Sequence, residues 1–395
     1  MSAFDSLRTT LTERQQAHLY RTRRTLGQAQ QPETVIDGKP MLTFCSNDYL
    51  GLANDPRVVA RFQAAASTYG VGSGASHLVN GHSEEHHQLE QELAAFTGRD
   101  RALLFSTGFM ANLGTIQALV DKPDAVFEDR LNHASLLDGG LHSGAKFQRY
   151  LHNDVDNLTR RLEKDQSRRR LIVTDGVFSM DGDCAPIGEL VNCAQQHNAW
   201  LMVDDAHGFG CIGSKGQGLV AEHFDQNQVQ VLMGTLGKAF GTSGAFIAGS
   251  ETLIETLIQF ARPYIYTTAI PPAVAAATRT SLQLVQTEPE RRTQLNKLIQ
   301  RFRQEAKALG LTLMDSPTPI QPIVLGSETE TLAWSQALEA EGLLVTAIRP
   351  PTVAKGSARL RITFSTSHTD AQLDRLLDSL DKICQQRGLP NGIQL

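Results

Sequence analysis

Two short stretches hold an acid, an imidazole, a hydroxyl and an amine. Asp204-Asp205-Ala206-His207 closes one apolar run, and Gly234-Thr235-Leu236-Gly237-Lys238 closes the next. A lysine amine forms a Schiff base with an aldehyde, and a carboxylate pairs with a pyridinium nitrogen. Together they suit pyridoxal phosphate (PLP), whose charged ring draws electrons from a carbanion. Gly237, Gly241 and Gly244 flank Lys238 and let the backbone come near a ligand. Taken singly, these residues read as a surface lysine and a buried capping aspartate. The combination favours PLP, because a phosphate site lies upstream. Ser106-Thr107-Gly108-Phe109-Met110-Ala111-Asn112 follows the apolar Ala102 to Phe105. A strand, a glycine turn and a helix start leave free N–H groups, here of Gly108 and Phe109, and such groups bind phosphate.

Other motifs point elsewhere and fail on context. Gly208-Phe209-Gly210-Cys211-Ile212-Gly213 spells a dinucleotide fingerprint, but the glycine-rich Ser214 to Gly218 that follows cannot open a helix. His82-Ser83-Glu84-Glu85-His86 has the order of some zinc peptidases. A helix start explains it better, with Ser83 as the cap and the two glutamates at the positive end of the helix dipole. No metal site is expected. Gly237-Lys238 is followed by Ala239, where a P-loop needs Ser or Thr. The arginines at 160–161 and 168–170 alternate with Glu163 and Asp165, so they read as a solvated face.

The elements that must position the chemistry are legible in outline. Leu171 to Thr174, Leu201 to Asp204, Val231 to Gly234 and Ala245 to Ala248 are predicted buried strands, with a helix over Ile187 to Asn198. Apolar strands separated by helices imply a parallel sheet covered on both faces. Ligands of such sheets bind at the carboxyl ends of the strands, where Asp204 and Gly234 fall. Pro271-Pro272 breaks the chain. Long helices follow over Ala273 to Gln286 and Glu290 to Leu309, then strands over Ile320 to Leu325, Leu343 to Ile348 and Leu360 to Phe364. The fold class is α/β. The expected division is an N-terminal segment (1–49) packing with the small domain, a large PLP-binding domain (50–270) with a mostly parallel sheet, and a small α+β domain (271–395).

Composition narrows the partners. The 395 residues carry a net charge of −5, which argues against nucleic acid, since a phosphate backbone needs clustered basic surface. Cys45, Cys184, Cys193, Cys211 and Cys384 are odd in number and form no CxxC pair, as expected of reduced thiols in the cytoplasm. No apolar run reaches the about 18 residues of a membrane span, and Met1 to Tyr20 lacks the apolar core of a signal peptide.

The sequence resembles the α-oxoamine synthases, PLP enzymes of fold type I that condense an amino acid with an acyl thioester and release carbon dioxide. The resemblance rests on Ser46-Asn47-Asp48-Tyr49-Leu50-Gly51-Leu52, Gly72-Ser73-Gly74, Ser106 to Phe109, Asp129 to Ser135, Gly176 to Asp183, Asp204 to Gly208, Gly234 to Gly241, and Arg349-Pro350-Pro351-Thr352 with Arg359-Leu360-Arg361. These run in family order over nearly the whole chain. The resemblance implies Lys238 as the Schiff-base lysine, Asp204 on the pyridinium nitrogen, His207 and Ser179 at the phenolic oxygen, and His133 stacked on the ring. It implies Gly108, Phe109 and Thr235 at the phosphate, with Thr267 and Thr268 reaching the phosphate of a partner subunit in a homodimer. Asn47 and Arg361 would hold the amino-acid carboxylate, with Arg349 a further candidate, and Arg21 and Thr352 would meet the acyl substrate. The Asn47-Asp48-Tyr49 form, the His152-Asn153-Asp154 segment and the compact N-terminus resemble members that join L-alanine to a pimeloyl thioester of coenzyme A or acyl carrier protein. Members that join glycine to acetyl-CoA share every cofactor motif and remain the alternative. A PLP-bearing regulatory protein is disfavoured by the complete set of Lys238, Asp204, His133 and His207. Ala354 and His77 depart from the common pattern and leave the acyl chain less defined.

Overall fold

The computed structural model describes residues 3–17 and 19–388. Its strands are β1 (Glu33–Ile36), β2 (Lys39–Thr43), β3 (Arg101–Phe105), β4 (Ala125–Asp129), β5 (Lys146–Tyr150), β6 (Arg170–Asp175), β7 (Trp200–Asp204), β8 (Val231–Thr235), β9 (Ala245–Gly249), β10 (Ile320–Gly326), β11 (Leu343–Leu344), β12 (Thr346–Ile348) and β13 (Ala358–Thr363). Seven of them form the central sheet, in the order β3-β9-β8-β7-β6-β4-β5. β8, β7, β6, β4 and β5 run parallel, and β9 is antiparallel to both its neighbours. The protein is thus an α/β molecule with a mostly parallel central sheet.

Side chains alternate across a strand, so each strand feeds two cores. Leu171, Val173 and Met202 point into one cluster with helices Gly108–Leu119 and Glu251–Phe260. Ile172, Leu201 and Val203 point into the other, with helices Val155–Leu162 and Ile187–Gln196. This double burial is why the strands read as unbroken apolar runs.

The C-terminal part builds an antiparallel sheet, β10-β13-β12, while β11 joins β1 and β2 from the N-terminal segment. A third core runs from Leu42 to Ile383 and includes helices Pro289–Ala308 and Asp370–Arg387. The predicted single strand Leu343–Ile348 is two strands in two sheets, divided at Val345. Helix starts follow local chemistry. Asp55 accepts from Arg57 N ahead of Pro56, and Ser83 with His86, and Thr369 with Gln372, form capping boxes. Among the described residues no helix is long and apolar enough to cross a membrane. All five cysteines are free.

The turn between β8 and β9 carries Lys238, and Gly241 shapes it. Gly241 has φ +65°, and a Cβ there would come within 2.2 Å of Ala53 N. Backbone cannot yield as a side chain does. Gly241→Ala is therefore expected to cost about 2–4 kcal/mol, the left-handed strain plus the overpacking, read as a lower denaturation midpoint.

Candidate active site

Strand register gathers the chemistry. Asp175 ends β6 opposite Asp204 at the end of β7, and Asp204 lies opposite Met233 of β8. Thr235 and Lys238 follow just beyond, so the carboxylates, the hydroxyl and the amine share one end of the sheet. Asp204 is buried; its Oδ1 accepts from Ala206 N at 2.9 Å and its Oδ2 from Asn112 Nδ2 at 2.7 Å. Asn112 also donates to Ser135 Oγ at 2.9 Å, and Ser135 Oγ lies 2.7 Å from His133 Nδ1. His133 Nδ1 further accepts from Ser135 N at 3.3 Å, capping helix Ala134–His142. That leaves Nε2 as the protonated nitrogen of a neutral ring. Burial, then the nearby Lys238 charge, lower its pKa against the pull of Asp204. The His133 backbone N–H donates to Asp175 Oδ2 at 2.6 Å. Burial and the neighbouring Asp204 push the Asp175 carboxyl well up.

Lys238 Nζ lies 2.8 Å from His207 Nε2. Burial pushes the amine down to about 8 even though Asp204 and Asp175 pull the other way. An amine near 8 has a substantial neutral fraction at physiological pH, which is what a nucleophile or a base needs. Thr235 Oγ1 donates to Gly244 O at 3.2 Å and anchors the turn.

The first turn of helix Gly108–Leu119 lies at the same sheet end. Thr107 Oγ1 accepts from Met110 N, while the first N–H groups of a helix have no acceptor within it. Gly108 is half-buried and Phe109 is exposed. Thr267 is half-buried and Thr268 exposed, and Thr268 O accepts from Ser106 Oγ of the same chain at 3.3 Å.

Arg361 is buried on β13; its Nε donates to Ser179 O at 2.5 Å, and its Nη1 and Nη2 each lie 3.4 Å from Asn47 Oδ1. Arg349 is half-buried, and its carbonyl accepts from Thr352 N at 3.0 Å in a tight turn. Thr352 and Arg21 are exposed, and neither side chain joins Arg361, Ser179 and Asn47.

Behind Ser179, His152 clamps two carboxylates. Its Nδ1 lies 3.1 Å from Asp129 Oδ1 and its Nε2 lies 2.8 Å from Asp183 Oδ2. Burial opposes the charge, yet the two carboxylates raise the pKa from 6.5 to about 9. A raised pKa means stabilisation that is complete below pH 6.5 and disappears as pH climbs through about 9. His152→Gln is expected to lose about 2–3 kcal/mol at pH 6 and to converge on the wild type above about pH 9. Denaturant titrations across that range check it.

The rejected motifs have structural explanations. Residues 206–213 are turns rather than a helix, and Asp205 Oδ2 accepts from Leu219 N at 2.6 Å. A Cβ at Gly208 or Gly218 would strike that carboxylate at 2.1 Å, so these glycines make room for Asp205. His82 and His86 do meet His77, with one ring nitrogen of each within 4.8 Å of the others. Both nitrogens of His86 are committed, however: Nδ1 accepts from Ser83 N and Nε2 donates to Ile270 O.

Sequence reasoning missed Asn112, Ser135 and Asp175. Asn112 and Ser135 are polar residues buried in helices, and Asp175 ends its strand as Asp204 does, a signal that could have found it.

Comparison with known proteins fits this geometry. The family model for aminotransferase class I and II matches residues 39–380. An 8-amino-7-oxononanoate synthase of Cellvibrio japonicus is 64% identical over 380 residues, covering 96% of this chain and 95% of that protein. The solved serine palmitoyltransferase of Sphingomonas wittichii is 32% identical, with a TM-score of 0.92 over 98% of each chain. A further solved structure, of SPT with a PLP internal aldimine, is 32% identical with a TM-score of 0.91, again over 98% of each chain. The chain belongs to the class I and II aminotransferase family and, within it, to the 8-amino-7-oxononanoate synthases.

PLP is the cofactor of this family, and the residues present fit it. The donor set supplies an amine for an aldehyde, a buried carboxylate for a ring nitrogen and a helix N-terminus for a phosphate. Asn112 Oδ1, on the side chain that donates to Asp204, is buried without a partner among the described residues.

Proposed function

We propose that this chain condenses L-alanine with a pimeloyl thioester, giving 8-amino-7-oxononanoate, carbon dioxide and a free thiol for biotin synthesis. The observation that carries the reading is the Lys238 amine, 2.8 Å from His207 Nε2 and under the electrostatic pull of Asp204, in a chain 64% identical to a synthase of that name.

Bound PLP supplies an electron sink for carbanion chemistry. Lys238 would hold its aldehyde, Asp204 its ring nitrogen, His133 its ring face, and His207 and Ser179 its phenolic oxygen. Gly108, Phe109 and Thr235 would hold its phosphate, with Thr267 and Thr268 reaching that of a partner subunit. The chain's own residues do the rest. Arg361 and Asn47 bind and orient the alanine carboxylate, with Arg349 in support. Asp204, fixed by Ala206 and Asn112, places its carboxyl group where a ring proton must be held. The Lys238 amine takes the α-proton and returns one later, with His207 Nε2 accepting from it at 2.8 Å. Arg21 and Thr352 border the acyl chain. We further propose a cytoplasmic homodimer and the division into residues 1–49, 50–270 and 271–395.

The test is thiol release by the PLP-loaded protein in two mixtures, L-alanine with pimeloyl-CoA and glycine with acetyl-CoA. Release only in the first supports the reading. Release only in the second overturns it and keeps the fold, the cofactor and the base.

A further inference from the structure

Asn47 and Arg361 lie on one side of the site and Lys238 on the other. One side chain joins them. Tyr49 is fully buried, and its Oη lies 3.1 Å from Asn47 Oδ1 and 2.7 Å from His207 Nδ1. His207 Nε2 in turn lies 2.8 Å from Lys238 Nζ.

Counting donors fixes the direction of every proton in this chain. Arg361 Nη1 and Nη2 both approach the same Asn47 atom at 3.4 Å. A guanidinium only donates, so that atom is the amide oxygen. An amide oxygen only accepts, so Tyr49 Oη–H donates to it. A phenol has a single proton, so Oη must then accept from His207, whose proton therefore sits on Nδ1. That leaves Nε2 as a lone pair facing the Lys238 amine. Burial keeps the His207 imidazole neutral and the Tyr49 phenol protonated, so both groups hold the form the chain requires. Among the described residues the Asn47 amide N–H groups have no acceptor, so they can donate to a carboxylate.

We propose that Tyr49 is a positioning residue whose hydroxyl fixes the Nδ1–H tautomer of His207, so that Nε2 offers a lone pair to the Lys238 amine and to a phenolic O–H of the cofactor. It thereby ties the base to the Asn47–Arg361 pair that would bind the amino-acid carboxylate. The proposal rests on the reading of Lys238 as the base in amino-acid chemistry. A tyrosine that merely fills the core would contribute through its ring alone, and phenylalanine would replace it without loss.

Tyr49→Phe removes one oxygen and keeps the ring. Two measurements read the effect: histidine 15N NMR of the full chain, which reports the His207 tautomer, and exchange of the L-alanine α-proton with deuterated solvent by the PLP-loaded protein. The wild type is expected to show a single Nδ1–H tautomer for His207, and the variant a mixed or Nε2–H form. Exchange is expected to slow about tenfold to a hundredfold, with PLP content and denaturation midpoint preserved. An Nε2–H tautomer in the wild type overturns the proposal. So does a variant that exchanges within about twofold of wild type while keeping the Nδ1–H form. If the variant does not fold, the wild-type tautomer decides alone. Failure of the wild type to exchange alanine overturns the functional reading instead, and the tautomer still decides the role of Tyr49.

Discussion

Lys238→Ala is expected to abolish thiol release from pimeloyl-CoA and L-alanine, by at least about 10⁴-fold, the upper range for losing a positioned acid–base group. The loss should fall on chemistry and spare the fold. Lys238 sits in the turn after β8, where burial pushes its amine down to about 8. A lysine whose pKa is depressed in the folded state opposes folding as pH falls below the ordinary 10.5, and in full below about 8, because the unfolded chain binds the proton more readily. Removing the amine therefore leaves the denaturation midpoint unchanged or raised at pH 7. Lys238→Arg should be equally inactive, since a guanidinium does not give up its proton at neutral pH. A Lys238→Ala protein with near wild-type release would remove this residue from the mechanism. A protein that lost activity together with stability would leave a structural role in its place.

The sequence carried the parts of this molecule that depend on local pattern. β6, β7, β8 and β9 were each visible as short apolar runs because both faces of each strand are covered. Asp204 and Lys238 were visible because they follow such runs. The order of the strands was not, since β9 turns back antiparallel on β8 and then pairs with the distant β3 on its other side. β4 and β5 were overlooked. β5 is an edge strand whose Lys146-Phe147-Gln148-Arg149 is mostly polar and carries no buried run. The split at Val345 was hidden for a related reason: a continuous apolar string does not say that its halves pair with different sheets. In the site, Tyr49 and Asn112 escaped because each looks like something commoner, a core aromatic and a helix-surface amide. Only tertiary contacts show that both are polar links. Arg21 and Thr352 came from resemblance alone; both are exposed, and Thr352 is tied to another candidate only through its backbone N–H to Arg349 O.

Asp204→Asn should keep the shape of the site and lose about 10²- to 10³-fold in turnover, the range for removing one preorganised electrostatic partner. PLP should still bind, because the helix N-terminus proposed for the phosphate is independent of this side chain. The loss has two sources. The first is charge: an amide cannot hold a ring proton as a carboxylate does. The second is hydrogen bonding. Both Asp204 oxygens now accept, one from Ala206 N and one from Asn112 Nδ2. An introduced NH₂ must face one of these donors with a donor of its own. Asn112 could turn its amide over, since its Oδ1 has no partner to lose. Its oxygen would then draw the Ser135 hydroxyl proton away from His133 Nδ1, so the disturbance would spread to the imidazole proposed to cover the ring. Asp204→Asn should therefore be partly relieved by Asn112→Asp in its geometry, though not in its rate, because the restored charge would lie one residue farther from the pocket. An Asp204→Asn protein that binds PLP and turns over near the wild-type rate would show that the electron sink works without this carboxylate.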